Sequence, residues 1–250
     1  MQRLNGKVAL VTGGAGGIGQ AICRTLAEHG ASVVVGYNAS EQAAWRLAQA
    51  LPAAEQRHQA RAAVVTDGAS LSRLAVDIDR EYGRCDILVN CHGTTKFIAH
   101  HDLDSLDDGL IDTILSTNVR GSFATVRAMR ALLERHGNGL VVNISSISAA
   151  LALGSNVMYC ASKAALDNMT RSLARALAPK IRVVSLSPGL VKTDFVNTFD
   201  ADWLERYVAA TPLQRVILPE EIGQAVVAIA TVLPAVTGVV IPVDGGRTLT

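Results

Sequence analysis

A glycine-rich turn near the start of the chain places the strongest constraint on the fold. An aliphatic run over Lys7 to Thr12 predicts a buried strand, a helical pattern runs from Ile18 to Gly30, and Ser32 to Val35 predicts a second strand. The turn between the first strand and the helix contains Gly13, Gly14, Gly16, Gly17 and Gly19. Glycines let backbone N–H groups approach a phosphate, and the N-terminus of the following helix attracts the same negative charge. The unit therefore favours dinucleotide binding, although any tight strand-to-helix turn also favours glycine.

Strand and helix patterns alternate along the rest of the chain, without repeats or a linker. Further strands are predicted over residues 62–65, 86–90, 140–145, 181–186 and 239–243, and further helices over residues 41–51, 70–82, 103–135, 157–178 and 219–233. Asp67 is expected to cap the helix over 70–82. The alternation predicts a single α/β domain over residues 1–250, a doubly wound Rossmann-type fold with a mostly parallel seven-stranded sheet and helices on both faces.

Composition narrows the possible functions. The chain has 250 residues, of which 49% are hydrophobic and 18% charged, which favours one large buried core and argues against disorder. A net charge of +1 without a basic run gives no electrostatic reason to expect a nucleic-acid or membrane partner. The four cysteines and the adjacent His100 and His101 lack metal-ligand spacing, so no metal site is predicted. With no signal-like start and no apolar run of membrane-spanning length, a soluble cytoplasmic protein is expected.

The end of the second strand bears on the choice of cofactor. An acidic residue there would bind the ribose hydroxyls of NAD and repel the 2′-phosphate of NADP. The sequence instead has Tyr37, Asn38 and Ser40, whose small polar groups could receive that phosphate. NADP(H) is therefore favoured and NAD(H) remains possible. The alternative is that Asn38 and Ser40 only turn the chain and cap the next helix.

The stretch from Val142 to Lys163 carries groups suited to proton transfer. It begins as a buried strand, passes through Ser145 and Ser146, and ends on a helix with Tyr159 and Lys163 one turn apart. A phenol has a reference pKa near 10, so it is a poor base at neutral pH. A nearby ammonium lowers that pKa by favouring the phenolate. Either serine could hydrogen-bond a substrate oxygen.

Several motifs in order and spacing resemble those of the short-chain dehydrogenase/reductase family, over nearly the whole chain. Thr12-Gly13-(x)3-Gly17-Ile18-Gly19 resembles the family's cofactor turn, and Tyr159-(x)3-Lys163 its catalytic pair. Further matches are Asn90 and Gly93 after the fourth strand, the helix residue Asn118, Ser187-Pro188-Gly189 with Thr193, and Asp244-Gly245-Gly246. The resemblance implies an NAD(P)-dependent oxidoreductase that interconverts a secondary alcohol and a ketone.

The resemblance also implies roles for individual residues. The family's serine lies thirteen positions before the tyrosine, which selects Ser146; Tyr159 then exchanges the proton, and Asn118 holds a water that links Lys163 to solvent. The implied cofactor contacts are Gly13, Gly17, Ile18, Gly19, Tyr37, Asn38, Ser40, Val65, Asn90, Gly93, Tyr159, Lys163, Pro188, Gly189, Val191 and Thr193. The implied substrate contacts are Ser146, Ser148, Leu153, Tyr159 and Phe195.

Two residues depart from the family pattern. His92 replaces a small residue beside the cofactor ribose, so its imidazole must point away or narrow the site; it could also act as a general base. Val64 stands where the family has an Asp that reaches the adenine, and a valine cannot accept that hydrogen bond. Both departures make cofactor affinity less certain.

Residues 191–212 predict a lid over a substrate pocket, because they form a long aromatic-rich connection at the carboxyl end of a strand. Leu151, Leu153, Leu190, Val191, Phe195 and Trp203 suggest an apolar pocket. Among substrates, a 3-oxoacyl thioester leads by resemblance, and a sugar or steroid is also possible. A dinucleotide-sensing protein without turnover is the alternative of another class. The resemblance further implies a homotetramer, formed through residues 103–135, residues 157–178 and the C-terminal segment.

Overall fold

The computed structural model describes residues 4–194, 196 and 199–250. The strands are β1 (Val8–Thr12), β2 (Ser32–Tyr37), β3 (Gln59–Ala62), β4 (Ile87–Asn90), β5 (Gly139–Ile144), β6 (Ile181–Pro188) and β7 (Val240–Val243). The helices are α1 (Gly17–Glu28), α2 (Glu41–Ala50), α3 (Gly68–Tyr82), α4 (Asp108–Leu115), α5 (Ser122–Glu134), α6 (Ser148–Leu151), α7 (Val157–Leu177), α8 (Ala201–Ala209) and α9 (Pro219–Thr231). A π-helix, Ser116–Gly121, joins α4 to α5, and a 3-10 helix spans Arg247–Leu249.

The strands form one sheet in the order β3-β2-β1-β4-β5-β6-β7. All strand pairs in the described part of the chain are parallel, so the predicted doubly wound α/β fold is confirmed and its sheet is wholly rather than mostly parallel. The chain reverses its direction of winding between β1 and β4. Ligands of open α/β sheets bind at the carboxyl ends of the strands beside such a reversal.

Apolar residues cover both faces of the sheet, as the near-continuous aliphatic strands require. Side chains from α1, α2 and α9 pack against one face, and side chains from α3, α5 and α7 pack against the other. Helices α1 and α9 approach closely, since a Cβ on Gly223 would lie 2.4 Å from Thr25 Oγ1. No helix in the described part of the chain is long and apolar enough to cross a membrane.

Two predicted elements begin three or more residues away from the predicted start. The third strand lies earlier than residues 62–65, because it pairs with β2 from Val34↔Gln59 to Tyr37↔Ala62 and β2 ends at Tyr37. The helix predicted from residue 103 begins at Asp108, because the Asp107 carboxylate accepts a hydrogen bond from the Leu110 N–H at 2.8 Å and caps the helix there.

Other local predictions are confirmed. Asp67 caps α3 by accepting a hydrogen bond from the Ala69 N–H at 2.8 Å. The helical region predicted over residues 103–135 is interrupted by the π-helix over Ser116–Gly121.

Candidate active site

The turn from β1 to α1 forms a backbone cradle at the reversal of the sheet. Gly16 is the N-cap of α1 and offers no side-chain hydrogen bond to the first turn, which leaves backbone N–H groups for a ligand. Gly13 has a φ of +64°, and a Cβ on it would lie 3.0 Å from the Cys91 carbonyl oxygen. A Cβ on Gly17 would lie 2.6 Å from Thr193 Cγ2. The loops after β1, β4 and β6 therefore meet at this turn.

Asn118 lies on the π-helix and is fully buried. Its Oδ1 accepts a hydrogen bond from the Thr94 N–H at 2.8 Å, and its Nδ2 donates to the Thr94 carbonyl at 3.1 Å and to Ser162 Oγ at 3.0 Å. A single turn of π-helix inside an α-helix often marks a functional site. Here it places an amide between the loop after β4 and helix α7.

The two candidate serines have different partners. Ser145 Oγ is buried and donates to the Lys163 carbonyl at 3.4 Å. Ser146 Oγ donates to Ser148 Oγ at 3.0 Å and accepts from the Ser148 N–H at 3.1 Å. Ser146 also lies close enough to the Tyr159 phenol to lower its pKa.

Tyr159 and Lys163 lie at the start of α7. The Tyr159 N–H donates to Oδ1 of the N-cap residue Asn156 at 2.7 Å. Lys163 is buried, its Nζ donates to the Ile144 carbonyl at 2.8 Å, and the same nitrogen lies 5.7 Å from the centre of the Tyr159 ring. The predicted helix turn does bring the two side chains together.

Burial governs the protonation of this pair. Burial lowers the pKa of Lys163 to about 8, against opposing effects of Cys91 and Asp167. Burial also raises the pKa of Tyr159, and it outweighs the effect of Ser146. The expected lowering of the phenol pKa by the ammonium is therefore not what the folded chain produces. Desolvation disfavours the charged form of both groups.

The His92 side chain lines the cavity and is also hydrogen-bonded to the neighbouring elements. Its Nδ1 lies 2.7 Å from Thr12 Oγ1 and its Nε2 lies 3.2 Å from Ser122 Oγ, which itself donates to the Asn118 carbonyl at 2.9 Å. Burial and the Lys163 charge lower the pKa of His92 to about 3, against a hydrogen bond with the Thr117 backbone. A neutral imidazole thus bridges β1 and the start of α5 while it also lines the cavity.

These groups surround one cavity of about 710 Å³. Its lining includes these residues predicted for the site: Ile18, Gly93, Ser146, Ser148, Leu151, Leu153, Tyr159, Lys163, Pro188, Gly189, Leu190, Val191, Thr193 and Trp203. Asn118 lies just behind this surface, since a Cβ on Gly93 would lie 3.5 Å from Asn118 Oδ1 and 3.7 Å from Lys163 Nζ. The predicted substrate contact Phe195 lies outside the described residues.

The remaining predicted cofactor contacts lie outside the cavity. Tyr37, Asn38 and Ser40 lie at the carboxyl end of β2, where the Tyr37 hydroxyl donates to Glu41 Oε1 at 2.9 Å. Val65 is buried and packs on the end of the π-helix, since a Cβ on Gly121 would lie 2.8 Å from Val65 Cγ2.

The side chain of Asn90 does not line the cavity. Its Nδ2 donates to Asn143 Oδ1 at 2.9 Å, inside the sheet, and its buried Oδ1 has no hydrogen-bond partner among the described residues. Asn143 in turn donates to Thr170 Oγ1 at 2.8 Å. The side chain of Asn90 thus belongs to a polar network between β4, β5 and α7.

Helix α8 lies within the segment predicted to be a lid and contributes side chains to the wall of the cavity. None of its residues is buried, so it lies over space rather than against the core. Trp203 and Tyr207, one turn apart, line the cavity together with Phe199. The Tyr207 hydroxyl accepts a hydrogen bond from the Leu190 N–H at 3.0 Å and fastens the lid to the loop after β6.

Sequence reasoning missed several lining residues. Phe97 and His100 come from the irregular segment after β4, and Arg247 comes from the 3-10 helix near the C-terminus. None of the three has a helical or strand periodicity that would have pointed to the cavity. A weak signal was available for Arg247, because it directly follows Asp244-Gly245-Gly246.

This chain is similar in sequence and structure to known proteins over nearly its whole length. Residues 13–248 match the model of the family described as enoyl-(acyl carrier protein) reductase. The chain is 36% identical over 250 residues to D-threitol dehydrogenase of Mycolicibacterium smegmatis, covering 99% of this chain and 95% of that one. It is 32% identical over 248 residues to 3-oxoacyl-[acyl-carrier-protein] reductase of Thermotoga maritima, covering 98% of each. A solved short-chain dehydrogenase/reductase from Serratia marcescens, a variant, superposes with a TM-score of 0.89 at 31% identity, over 98% of this chain and 99% of that one.

Proposed function

The chain belongs to the short-chain dehydrogenase/reductase family, and we propose that it reduces a ketone with NADP(H), with Tyr159 as the group that exchanges the proton. It is an NAD(P)-dependent oxidoreductase that interconverts a secondary alcohol and a ketone. The observation that supports the proposed roles is the convergence of Ser146, Tyr159 and Lys163 on one wall of the cavity beside the glycine cradle.

The glycine cradle fits a dinucleotide. The open N–H groups of α1 suit a pyrophosphate, and the crowding at Gly17 leaves no room for a side chain between the cradle and Thr193. Gly93, Pro188, Gly189, Val191 and Thr193 would border the nicotinamide. When bound, this cofactor supplies or accepts the hydride.

The protein's own groups supply the rest of the chemistry. Ser146 and Tyr159 donate hydrogen bonds to the substrate oxygen, so negative charge that develops there is stabilised. Tyr159 gives its proton to that oxygen during reduction and takes it back during oxidation. Lys163 lies next to the phenol, and its pKa of about 8 allows it to pass a proton on near neutral pH. Asn118, behind Lys163 and Gly93, holds the relay water in place.

The preference for NADP(H) is supported by the end of β2. Asn38 and Ser40 are exposed there, and Ser40 makes no side-chain cap of α2. Arg61 pairs in register with Gly36 and lies close enough to lower the pKa of Tyr37, although burial and Glu41 raise it overall. A cation that the local sequence does not reveal is thus available to a 2′-phosphate.

A fluorescence titration with NADPH and NADH tests the cofactor preference. We expect tighter binding of NADPH, and Asn38→Asp should reverse the order because its carboxylate repels the 2′-phosphate and accepts from the ribose hydroxyls. Asn138→Asp, on an exposed turn far along the chain, adds the same charge and should leave the order as in the wild type. Tighter NADH binding by the wild type would contradict the preference.

A ketone panel separates the enzyme from a sensor that binds a dinucleotide without turnover. Reduction of any member with NADPH supports the enzyme, and the panel includes a 3-oxoacyl thioester, a keto sugar and a keto steroid. Cofactor binding without turnover across the whole panel would favour the sensor. The polar groups of Ser146, Tyr159 and Lys163, which line the cavity together, support the enzyme.

We also propose that the protein is a cytoplasmic homotetramer. Exposed apolar side chains occur on the elements expected to form its interfaces, among them Phe123 on α5 and Val157 on α7. Sedimentation equilibrium should give four chains per particle, and a monomer at micromolar concentration would contradict this.

A further inference from the structure

An aromatic ladder forms one wall of the cavity. The ring centres of Phe97 and Phe199 are 6.2 Å apart in an edge-to-face arrangement, those of Phe199 and Trp203 are 4.4 Å apart and stacked, and those of Trp203 and Tyr207 are 5.4 Å apart and stacked. The Arg247 guanidinium lies 5.2 Å from the centre of the Tyr207 ring and ends the ladder. All five side chains line the cavity that contains Tyr159.

The ladder is unusual in a chain with so few aromatic residues. Aromatic residues make up 4% of the sequence, yet four of them meet on this wall. Aliphatic side chains would cover a lid equally well if it only had to exclude water. The rings therefore give this wall flat, polarised surfaces that an aliphatic lining would not offer to a ligand.

The charged side chains among the described residues that line the cavity are all basic. None of the described residues that line it is Asp or Glu, whereas Lys163 and Arg247 are both cationic. Arg247 donates to Thr250 Oγ1 at 2.6 Å and to the Ala210 carbonyl at 3.4 Å, and no carboxylate in the described part of the chain forms an ion pair with it. A small outer cleft beside it is lined by Trp203, Arg206, Tyr207 and Arg247. Two guanidinium groups thus share the end of the ladder.

We propose that the physiological substrate is an aromatic ketone that carries a carboxylate beyond its ring, with the ring against the ladder and the carboxylate on Arg247. This assignment rests on the proposed function, since the ketone must reach Ser146 and Tyr159. Lys163 is deep in the floor and bonded to the Ile144 carbonyl, so Arg247 is the cation placed for a distal anion.

The packing of the ladder defines how a ring would bind. Phe199 and Tyr207 both stack on Trp203, so the rings of the ladder engage one another through their faces, and we expect a ligand ring to meet Trp203 and Tyr207 at their edges. The edge of an aromatic ring is electropositive and attracts the face of another ring. A planar aromatic substrate gains this contact, whereas a saturated ring of the same size does not.

Three ketones of matched size test the proposal: 4-acetylbenzoate, its neutral analogue 4-acetylbenzamide, and the saturated 4-acetylcyclohexanecarboxylate. We expect wild-type kcat/KM with NADPH to be about tenfold higher for 4-acetylbenzoate than for the amide, as a charge-assisted hydrogen bond at a partly exposed site provides. Arg247→Gln should bring that ratio close to one. Arg46→Gln removes a positive charge from exposed α2 and should keep the wild-type ratio.

A separate variant tests the contribution of the aromatic ladder. Trp203→Leu should reduce the preference for 4-acetylbenzoate over the cyclohexane analogue several-fold, because it removes the central ring while keeping apolar volume. A wild-type enzyme that uses the amide or the saturated ketone as well as 4-acetylbenzoate would overturn the proposal. So would a ratio unchanged by Arg247→Gln.

A binding measurement keeps the proposal separate from the proposed function. The chain has two tryptophans, Trp45 and Trp203, so Trp45→Phe leaves Trp203 as the sole indole reporter. Quenching by 4-acetylbenzoate but not by the amide supports the binding site even if no ketone is reduced, in which case the reductase function fails and the site stands. Equal quenching by both, or none by either, overturns the site even if other ketones are reduced.

Discussion

The floor and the lid of the cavity are built in opposite ways. The floor consists of buried polar groups, among them Asn118 and Lys163, each bonded to backbone from another element. The lid is helix α8, which has no buried residue and is fastened through the bond from the Leu190 N–H to the Tyr207 hydroxyl. Chemistry requires atoms held within a narrow geometry, whereas substrate entry requires an element that can move at low cost.

The contrast leads to a rule for this protein. Substitutions in the floor should change both stability and turnover, because they leave buried polar groups unpaired. Substitutions in the lid should change substrate affinity with little effect on stability, because few core contacts are lost.

Tyr159→Phe should reduce turnover by about 10³-fold, since proton transfer by a positioned side chain contributes 10²- to 10⁴-fold. The ring and its packing remain, so NADPH binding should stay close to wild type. Single-turnover kinetics and a fluorescence titration measure the two effects. Retention of more than a tenth of the activity would exclude Tyr159 as the proton donor.

Asn118→Ala should lower the free energy of unfolding by about 3 kcal/mol, because the partly buried N–H and carbonyl of Thr94 and the buried Ser162 hydroxyl all lose their partner. Turnover should fall as well, since the variant removes the group proposed to hold the relay water. Urea denaturation and steady-state kinetics measure these effects. As a matched variant, Ser162→Ala removes one of the three bonds and should cost about 1 kcal/mol. If both variants lost the same free energy of unfolding, the bonds from the Asn118 amide to Thr94 would contribute nothing to stability beyond its bond to Ser162.

The fold could be predicted because its determinants are local and repeated. Aliphatic strands alternate with helices, so even an error of three residues at β3 leaves the order of elements intact. The proximity of the two residues proposed for proton transfer could be predicted for a related reason, since Tyr159 and Lys163 are separated by one helical turn. The orientation of Asn90 could not be predicted, because a polar side chain at the carboxyl end of a strand can face either the ligand or the sheet interior, and this one faces Asn143.

The missed parts of the site depend on contacts between distant segments. Phe97 and Arg247 reach the same wall from positions 150 residues apart, and neither belongs to a strand or to an α-helix. The direction of the Tyr159 pKa could not be predicted either, since spacing on a helix gives proximity to Lys163 but not the depth of burial of both groups.

His92 should make the stability of the folded protein depend on pH. Its folded-state pKa of about 3 lies below the ordinary value of 6.5, so between these values the unfolded chain binds a proton that the folded chain does not. Stability is therefore lost as the pH falls below 6.5. For this residue alone the loss should be about 2 kcal/mol between about pH 7.5 and about pH 5.

The variant His92→Asn removes the titrating group while keeping an amide for hydrogen bonding. Denaturant unfolding at both pH values should show a smaller acid-induced loss than in the wild type. His136→Asn, an exposed histidine replaced in the same way, should follow the wild-type dependence. If His92→Asn also follows it, the imidazole is not held neutral by the fold.

Phe97→Leu should have the smallest effect on stability, within about 0.5 kcal/mol, because the ring is 64% exposed and touches the ladder only at Phe199. The KM for an aromatic ketone should nevertheless rise by about threefold, since the outermost ring of the wall is lost, while kcat changes little. Trp45→Leu, a similar exposed ring on α2 outside the cavity, should leave KM unchanged. A loss of several kcal/mol with Phe97→Leu would mean that the aromatic wall beside the lid is as tightly integrated as the floor, and the contrast between a rigid floor and a loosely held opposite wall would then be wrong.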